Sequence, residues 1–337
     1  MVAARGGAAH RPDRGGPAMT AEMAAPLGAP TLHRPDTLDE VCALLGSLDQ
    51  AMVYGGGTAV QILIKQGVLF ASDLVDLSLV PDLDGIERTD TGLRVGAMVS
   101  LRRMETDPVV RRIVPLAAQV YGHVANPRVR NTASVGGNLA HGDYRLDPPT
   151  ALMVLGARVE LRSSAGVRHV PVRDFFVGFQ ETAVAPGELV TAVEIPAQTG
   201  SSSGFAKLSS QSVNDWPCAS AAALVTSPVQ GQRELRLGLG ALAEVPKYVS
   251  VDVPSDAGVA DAVRLGQEAA GPVIDPIPDI RGGADFKRRL GLVAVEDAIR
   301  AAWGSTGGTE TGAAGRSTGK EGSDARRNSR RRWWRSR

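Results

Sequence analysis

Three consecutive glycines, Gly55-Gly56-Gly57, stand directly behind a short apolar run, Ala51-Met-Val-Tyr54. That junction restricts the fold more than any other stretch. Glycine has no Cβ and reaches backbone conformations closed to other residues. A strand that breaks into three of them must turn sharply, admit another backbone, or present its N–H groups to a ligand. The whole segment reads Val53-Tyr-Gly-Gly-Gly-Thr-Ala-Val60. Its amides can converge on one anion as a nest, with the Thr58 hydroxyl as a further donor. Two standard phosphate motifs are excluded. Val60 stands where G-x-G-x-x-G needs its last glycine, and Gly319-Lys320 is followed by Glu321, not the Ser or Thr of a P-loop.

A second glycine pair lies in Asn131-Thr-Ala-Ser-Val-Gly-Gly-Asn-Leu-Ala-His-Gly-Asp143, which runs on to Arg145 and Asp147-Pro-Pro149. Read as a loop, Ser134, Val135, Gly136, Gly137 and Asn138 form a second nest, with Ser134 and Asn138 as side-chain hydrogen-bond groups. Asp147 is spaced to accept from a sugar hydroxyl. Two nests in one chain imply an elongated ligand with phosphate and polyol parts, such as a dinucleotide. Taken singly, either glycine segment reads as a plain turn. Asp143 and Asp147 also read as turn or cap residues, Lys207 as a solvated strand lysine, and His141 as a hydrogen-bonding neighbour of the glycines.

The body between the chain ends is mixed α+β. Thr37-Leu-Asp-Glu40 reads as a capping box, followed by Val41, Leu44, Leu45 and Leu48 on one helix face. Strands are predicted at 51–54, 73–77, 93–97, 157–162, 168–172, 189–195, 205–208, 219–225 and 233–239. Helices are predicted over 101–124, interrupted by Pro108 and Pro115, and over 256–270 and 286–303. Gly200-Ser-Ser-Ser-Gly204 reads as a linker or hairpin tip, with a domain boundary near it. Residues 1–25 show no apolar period and no signal-peptide core; Met19 and Met23 are alternative starts. Residues 304–337 have the composition of a disordered tail, and 320–337 carry eight basic residues against Glu321 and Asp324.

The net charge of only +1 therefore leaves an acidic body, a poor binder of nucleic acid. No run approaches a membrane span. Two cysteines, Cys42 and Cys218, fall short of the four that a structural iron–sulfur cluster takes. Cys42 reads as core, no His/Cys spacing indicates a metal, and no catalytic triad or carboxylate pair can be assembled. A cytoplasmic setting fits this cysteine usage.

Tyr54-Gly-Gly-Gly-Thr-Ala59 resembles the first flavin loop, and Ser134-Val-Gly-Gly-Asn138 the second, of the FAD-binding medium subunits of molybdenum hydroxylases. That family includes the medium chains of aerobic carbon monoxide dehydrogenase and the FAD-binding subunits of xanthine dehydrogenase. Val129-Arg-Asn131, Asp174-Phe-Phe176, Gly187-Glu-Leu-Val190, Glu194-Ile-Pro196, Asp279-Ile-Arg281 and Phe286-Lys-Arg-Arg-Leu290 follow in the family's order. Gly57-Thr58 departs from the more common Gln-Ser or Asn-Thr, and the basic tail has no family counterpart.

The resemblance implies a two-lobed FAD-binding domain of the PCMH type over 26–198, followed by a smaller α/β C-terminal flavoprotein domain over 200–303. It implies that Val53–Val60 wrap the FAD diphosphate through main-chain N–H groups and that Ser134–Asn138 complete the cradle. Asp147 would hold a cofactor hydroxyl, Val124 and Val190 would touch the cofactor through backbone or apolar atoms, and Lys207 would approach the flavin. It also implies partners: a large molybdopterin-binding subunit and a small subunit with 2Fe–2S clusters, assembled as a dimer of heterotrimers. Electrons would pass from those clusters through FAD to an external acceptor. Two other readings stay open. One is a self-sufficient FAD-dependent oxidase; the other is a nucleic-acid or membrane-surface module working through the arginine tail.

Overall fold

The structure, a computed structural model, describes residues 30–49 and 51–304. The described residues begin with a small βαβαβ lobe. Strand β1 (Thr31–His33), helix α1 (Leu38–Ser47), strand β2 (Ala51–Tyr54), helix α2 (Val60–Lys65) and strand β3 (Asp73–Asp76) follow in order. The strands form a parallel sheet with β3 between β1 and β2. Thr37 Oγ1 accepts from the Glu40 N–H at 3.2 Å, so the cap stands. The return arm differs: Glu40 reaches the Asp36 N–H at 3.3 Å, one residue earlier than in the standard box. Val41 and Cys42 are buried behind this cap.

The middle lobe opens with β4 (Ile86–Arg88) and β5 (Gly92–Gly96). The helix predicted over 101–124 is three helices, α3 (Leu101–Thr106), α4 (Pro108–Ile113) and α5 (Pro115–Tyr121). Each proline opens a helix, where its missing N–H costs nothing, and Asp107 caps α4 through the Val109 N–H at 2.8 Å. Helices α6 (Pro127–Thr132), α7 (Val135–Ala140) and α8 (Pro148–Val154) come next, then β6 (Arg158–Ser163), β7 (Gly166–Pro171), the short α9 (Val172–Phe175), a small hairpin of β8 (Phe176–Gly178) and β9 (Glu181–Thr182), and β10 (Leu189–Pro196). The long strands make an antiparallel sheet in the order β4-β5-β10-β6-β7. Its inner face and α3, α5, α7 and α8 enclose the main core, which includes Val95, Leu116, Tyr121, Leu152 and Leu161.

The last lobe is an antiparallel meander of β11 (Ser201–Leu208), β12 (Ala219–Thr226), β13 (Gln232–Gly240) and β14 (Lys247–Pro254), with α10 (Val259–Ala270) and α11 (Ala284–Gly304) on one face. The other face joins the main core through Phe205, Ala222 and Leu224. This corrects the linker expected at 200–204. Only Gly200 turns, at φ +63°, and the serines and Gly204 belong to β11. Gly204 is there because α11 lies against it: a Cβ would stand 2.6 Å from that of Ala301. The predicted terminal extensions, apart from Gly304, lie outside the described residues. Among the described residues, no helix is long and apolar enough to cross a membrane.

Candidate cofactor site

The two glycine segments, far apart in sequence, pack on each other. A Cβ on Gly56 would run into the Thr132 carbonyl oxygen and come within 3.1 Å of Ala133 Cα; one on Gly55 would lie 3.1 Å from Ser134 Oγ. Gly57 takes φ +68°, a left-handed conformation that glycine adopts without strain. The Tyr54 hydroxyl overhangs it and accepts from Gln61 Nε2. Among the described residues, no acceptor receives the N–H groups of Gly56, Gly57, Thr58 or Ala59. Four consecutive open donors at the entry to α2 are strong, unmet hydrogen-bonding capacity.

The second segment is not a loop. Residues 135–140 form helix α7, and Ser134 caps it by accepting from the Gly137 N–H at 3.2 Å. Its amides are engaged: Val135 donates to the Val99 carbonyl (2.9 Å), Gly136 to Ala97 (2.8 Å) and Asn138 to Ser134 (2.9 Å). Gly136 is required by packing, since a Cβ there would stand 2.6 Å from Ala97 Cβ. Gly137 is exposed, and a Cβ on it would meet only the cap hydroxyl of Ser134, at 2.9 Å. Asn138 Oδ1 is buried without a hydrogen-bond partner among the described residues.

Helix α6 leads from the Thr132 contact to the turn carrying Val124. Arg130, buried, donates from Nη1 to the Val124 and Ala125 carbonyls (2.9 Å each) and from Nε to Glu105 Oε2 (2.9 Å). It holds Ala125 at φ +46°. Nothing in the sequence marked Arg130 as the fastener of this turn, beyond its place in Val129-Arg-Asn131. Next to Val124, the His123 carbonyl accepts from Lys207 Nζ at 2.9 Å, and Lys207 Nζ also meets Asp147 Oδ2 at 2.8 Å. Both side chains of that ion pair are almost fully buried, at 5% and 3% exposure.

Burial pushes the Asp147 carboxyl up, and the Lys207 ammonium beside it pulls it back. Asp147 Oδ1 and the Ser220 hydroxyl are both buried, and the hydroxyl lies near enough to the carboxyl to help pull it down. Val190 is buried in β10 against the main core. Asp143 is engaged by Arg145 at 2.6 Å, and that guanidinium lies 4.6 Å from the Trp216 ring centre. Burial raises the Asp143 carboxyl, but the contacts with Arg145 outweigh it and hold the group below the usual carboxylate range.

The structure thus joins Val53–Val60 to Ser134–Asn138, and joins Val124 to Asp147 and Lys207, with α6 between the two groups. A family profile described as FAD binding domain in molybdopterin dehydrogenase matches residues 26–198. The chain belongs to the FAD-binding medium subunits of the molybdenum hydroxylases.

This medium subunit is 30% identical over 279 residues to the carbon monoxide dehydrogenase medium chain of Afipia carboxidovorans, covering 80% of this chain and 95% of that one. It is 27% identical over 269 residues to the nicotine 6-hydroxylase medium subunit of Paenarthrobacter nicotinovorans, covering 79% and 93%. A solved chain of quinoline 2-oxidoreductase from Pseudomonas putida 86 superposes with a TM-score of 0.75 at 30% identity, covering 83% of this chain and 99% of that one. The protein is the FAD-binding subunit of an oxidoreductase. Its residues fit the cofactor's chemistry: open amides suit a diphosphate, and the orphaned Asn138 Oδ1 suits a hydroxyl donor.

Proposed function

We propose that this chain is the electron-transfer subunit of a heteromeric molybdopterin-dependent hydroxylase or dehydrogenase. It takes electrons from the 2Fe–2S clusters of a small partner and passes them through FAD to an external acceptor. A large partner holds the molybdopterin and oxidises substrate, and the assembly is a dimer of heterotrimers in the cytoplasm. The FAD-binding domain spans 26–198 and the C-terminal flavoprotein domain 200–303. The observation that carries this reading is the run of open amides at Gly56–Ala59, walled by a second glycine segment. With only two cysteines in the sequence, four-thiolate clusters belong on other chains.

Val53, Tyr54, Gly55, Gly56, Gly57, Thr58, Ala59 and Val60 would hold the diphosphate. Their amides are fixed in direction before the ligand arrives, because Gly55 and Gly56 are seated on Thr132 and Ser134. Ser134, Val135, Gly136, Gly137 and Asn138 would form the facing wall: the cap hydroxyl sets the wall's backbone, exposed Gly137 leaves room for close approach, and Asn138 Oδ1 accepts. Asp147 Oδ1 would accept from a cofactor hydroxyl, and Val124 and Val190 would supply backbone or apolar contact. Lys207 would act as a positioning residue, because two acceptors already engage its ammonium and it holds Asp147 charged. When bound, FAD supplies reversible one- and two-electron transfer.

The test is an anaerobic mixture of the purified, FAD-loaded chain with aldehyde, aromatic heterocycle or carbon monoxide. The expected result is no bleaching of the flavin until both partner chains are added. Bleaching by the single chain would overturn the proposal in favour of a self-sufficient flavin oxidase.

A further inference from the structure

Strand β6 alternates across its sheet. Val159 and Leu161 are buried in the main core, so Glu160 between them points to the opposite face. The antiparallel register sets His169 of β7 directly across from Glu160. It sets Glu194 of β10 across from Arg158, on the same face as Glu160. His169 Nε2 lies 3.3 Å from Glu194 Oε1 and 3.7 Å from Glu160 Oε2, and the three ligand atoms all fall within 4.8 Å of one another. Ligand atoms about 2.0–2.1 Å from a tetrahedral zinc ion stand roughly 3.3 Å apart. The His169–Glu194 pair already stands at that spacing, and Glu194, at 43% side-chain exposure, has room to close the wider separations, which lie within 4.8 Å.

Two further observations point to a ligand. His169 Nε2 is shut off from solvent and makes no hydrogen bond among the described residues, an arrangement that costs free energy unless something binds the nitrogen. Glu160 is held as a metal-binding carboxylate usually is, by outer donors. Arg94 Nη2 donates to its Oε1 at 2.8 Å and Nε to its Oε2 at 3.3 Å, and Thr191 Oγ1 donates to Oε1 at 2.6 Å. Those contacts keep the carboxyl ionised, against burial.

We propose that Glu160, His169 and Glu194 form a divalent-metal site of the zinc class. It staples β10, β6 and β7 on the sheet face away from the main core, outside the cofactor cradle, with solvent completing the coordination. Strand register assembles it, so no spacing along the chain announces it.

The experiment uses the full, tag-free, FAD-loaded chain, stripped with chelator and titrated with zinc chloride near neutral pH by calorimetry. Metal content is read after dialysis. The wild type should retain a single equivalent and melt at higher temperature with zinc, as a ligand of the folded state must cause. His169→Ala should lose that equivalent. Glu194→Gln, on the half-exposed ligand, should weaken zinc by at least about tenfold, and so should Thr191→Val through the outer shell. His33→Ala, which breaks a separate histidine–carboxylate pair at 2.7 Å, should keep it. Flavin absorbance should be the same throughout. Failure of the wild type to retain zinc would overturn the site; so would retention by both His169→Ala and Glu194→Gln. If His169→Ala does not fold, Glu194→Gln decides alone. A wild type whose melting temperature never rises with zinc would also overturn it.

Discussion

The glycine loop at 55–60 and the Asp147–Lys207 pair treat polar groups in opposite ways. In the loop, four amides have no acceptor among the described residues, and close packing fixes their direction: Gly56 sits on the Thr132 carbonyl with no room for a side chain. In the pair, two full charges are buried and joined at 2.8 Å, and the His123 carbonyl takes a further ammonium hydrogen. The loop is a binding surface because its hydrogen bonds are unmet. The pair ties β11 of the last lobe to the middle lobe because its charges are met. A site that leaves donors open needs rigidity from elsewhere, and the paired charges supply part of it.

The largest expected effect comes from breaking the pair. Lys207→Met leaves Asp147 buried without its counter-charge, able to be neutral only by taking up a proton, a defect worth about 3–5 kcal/mol at neutral pH. The pH dependence follows from the direction of the shift. Burial already pushes the Asp147 carboxyl up, and the ammonium restrains it; without the ammonium only the upward push remains. A carboxyl raised in the folded state binds more protons folded than unfolded. Its penalty is therefore absent below the unfolded carboxylate range and grows as pH rises through the folded pKa. Urea unfolding of variant and wild type should show a stability gap that narrows steadily on acidification. A gap independent of pH would mean that the lost energy is packing, not charge.

Gly56→Ala tests the other half of the comparison. The new methyl meets backbone at Thr132 and Ala133, which cannot rotate aside, so the loops must part. Overpacking of this kind costs about 1–3 kcal/mol. Because the donors lose their aim as well, flavin retention should fall together with the urea midpoint. A stable variant without flavin would show that the loop's direction, and not the lobe contact, is what Gly56 protects.

Much of this was legible in the sequence where the cause is local. Thr37 and Glu40 marked the start of α1, Pro108 and Pro115 marked the helix breaks, and Gly55–Gly57 marked the loop. Where the cause is a distant neighbour, the sequence misled. Gly200–Gly204 has linker composition, yet Gly204 is a strand residue needed by the α11 backbone. Gly136 has the look of a ligand glycine, but Ala97 is what requires it. Strand β14 escaped although Tyr248, Val249, Val251 and Val253 fit a β-rich run, because only Val253 among them is fully buried. Arg130 carried no sequence signal of its role and is a buried fastener. A residue type states what chemistry is available; register and packing decide which partner receives it.

The smallest expected effect on stability is also the sharpest test of the second wall. Gly137 lies exposed in the first turn of α7, so a side chain there displaces no core. Glycine is a poor helix residue and valine a somewhat better one, a gain of a few tenths of a kcal/mol. Against that, the new Cβ crowds Ser134 Oγ at 2.9 Å, and loss of the cap bond costs about 1 kcal/mol at most sites. Gly137→Val should therefore stay within about 1 kcal/mol of wild type. Its flavin content should nonetheless fall sharply, since the branched side chain would fill the open space on the exposed side of the proposed wall. Visible flavin absorbance per mole of folded protein is the measurement. Wild-type flavin content in a folded Gly137→Val protein would remove α7 from the cradle and leave the first loop as the cofactor's main hold.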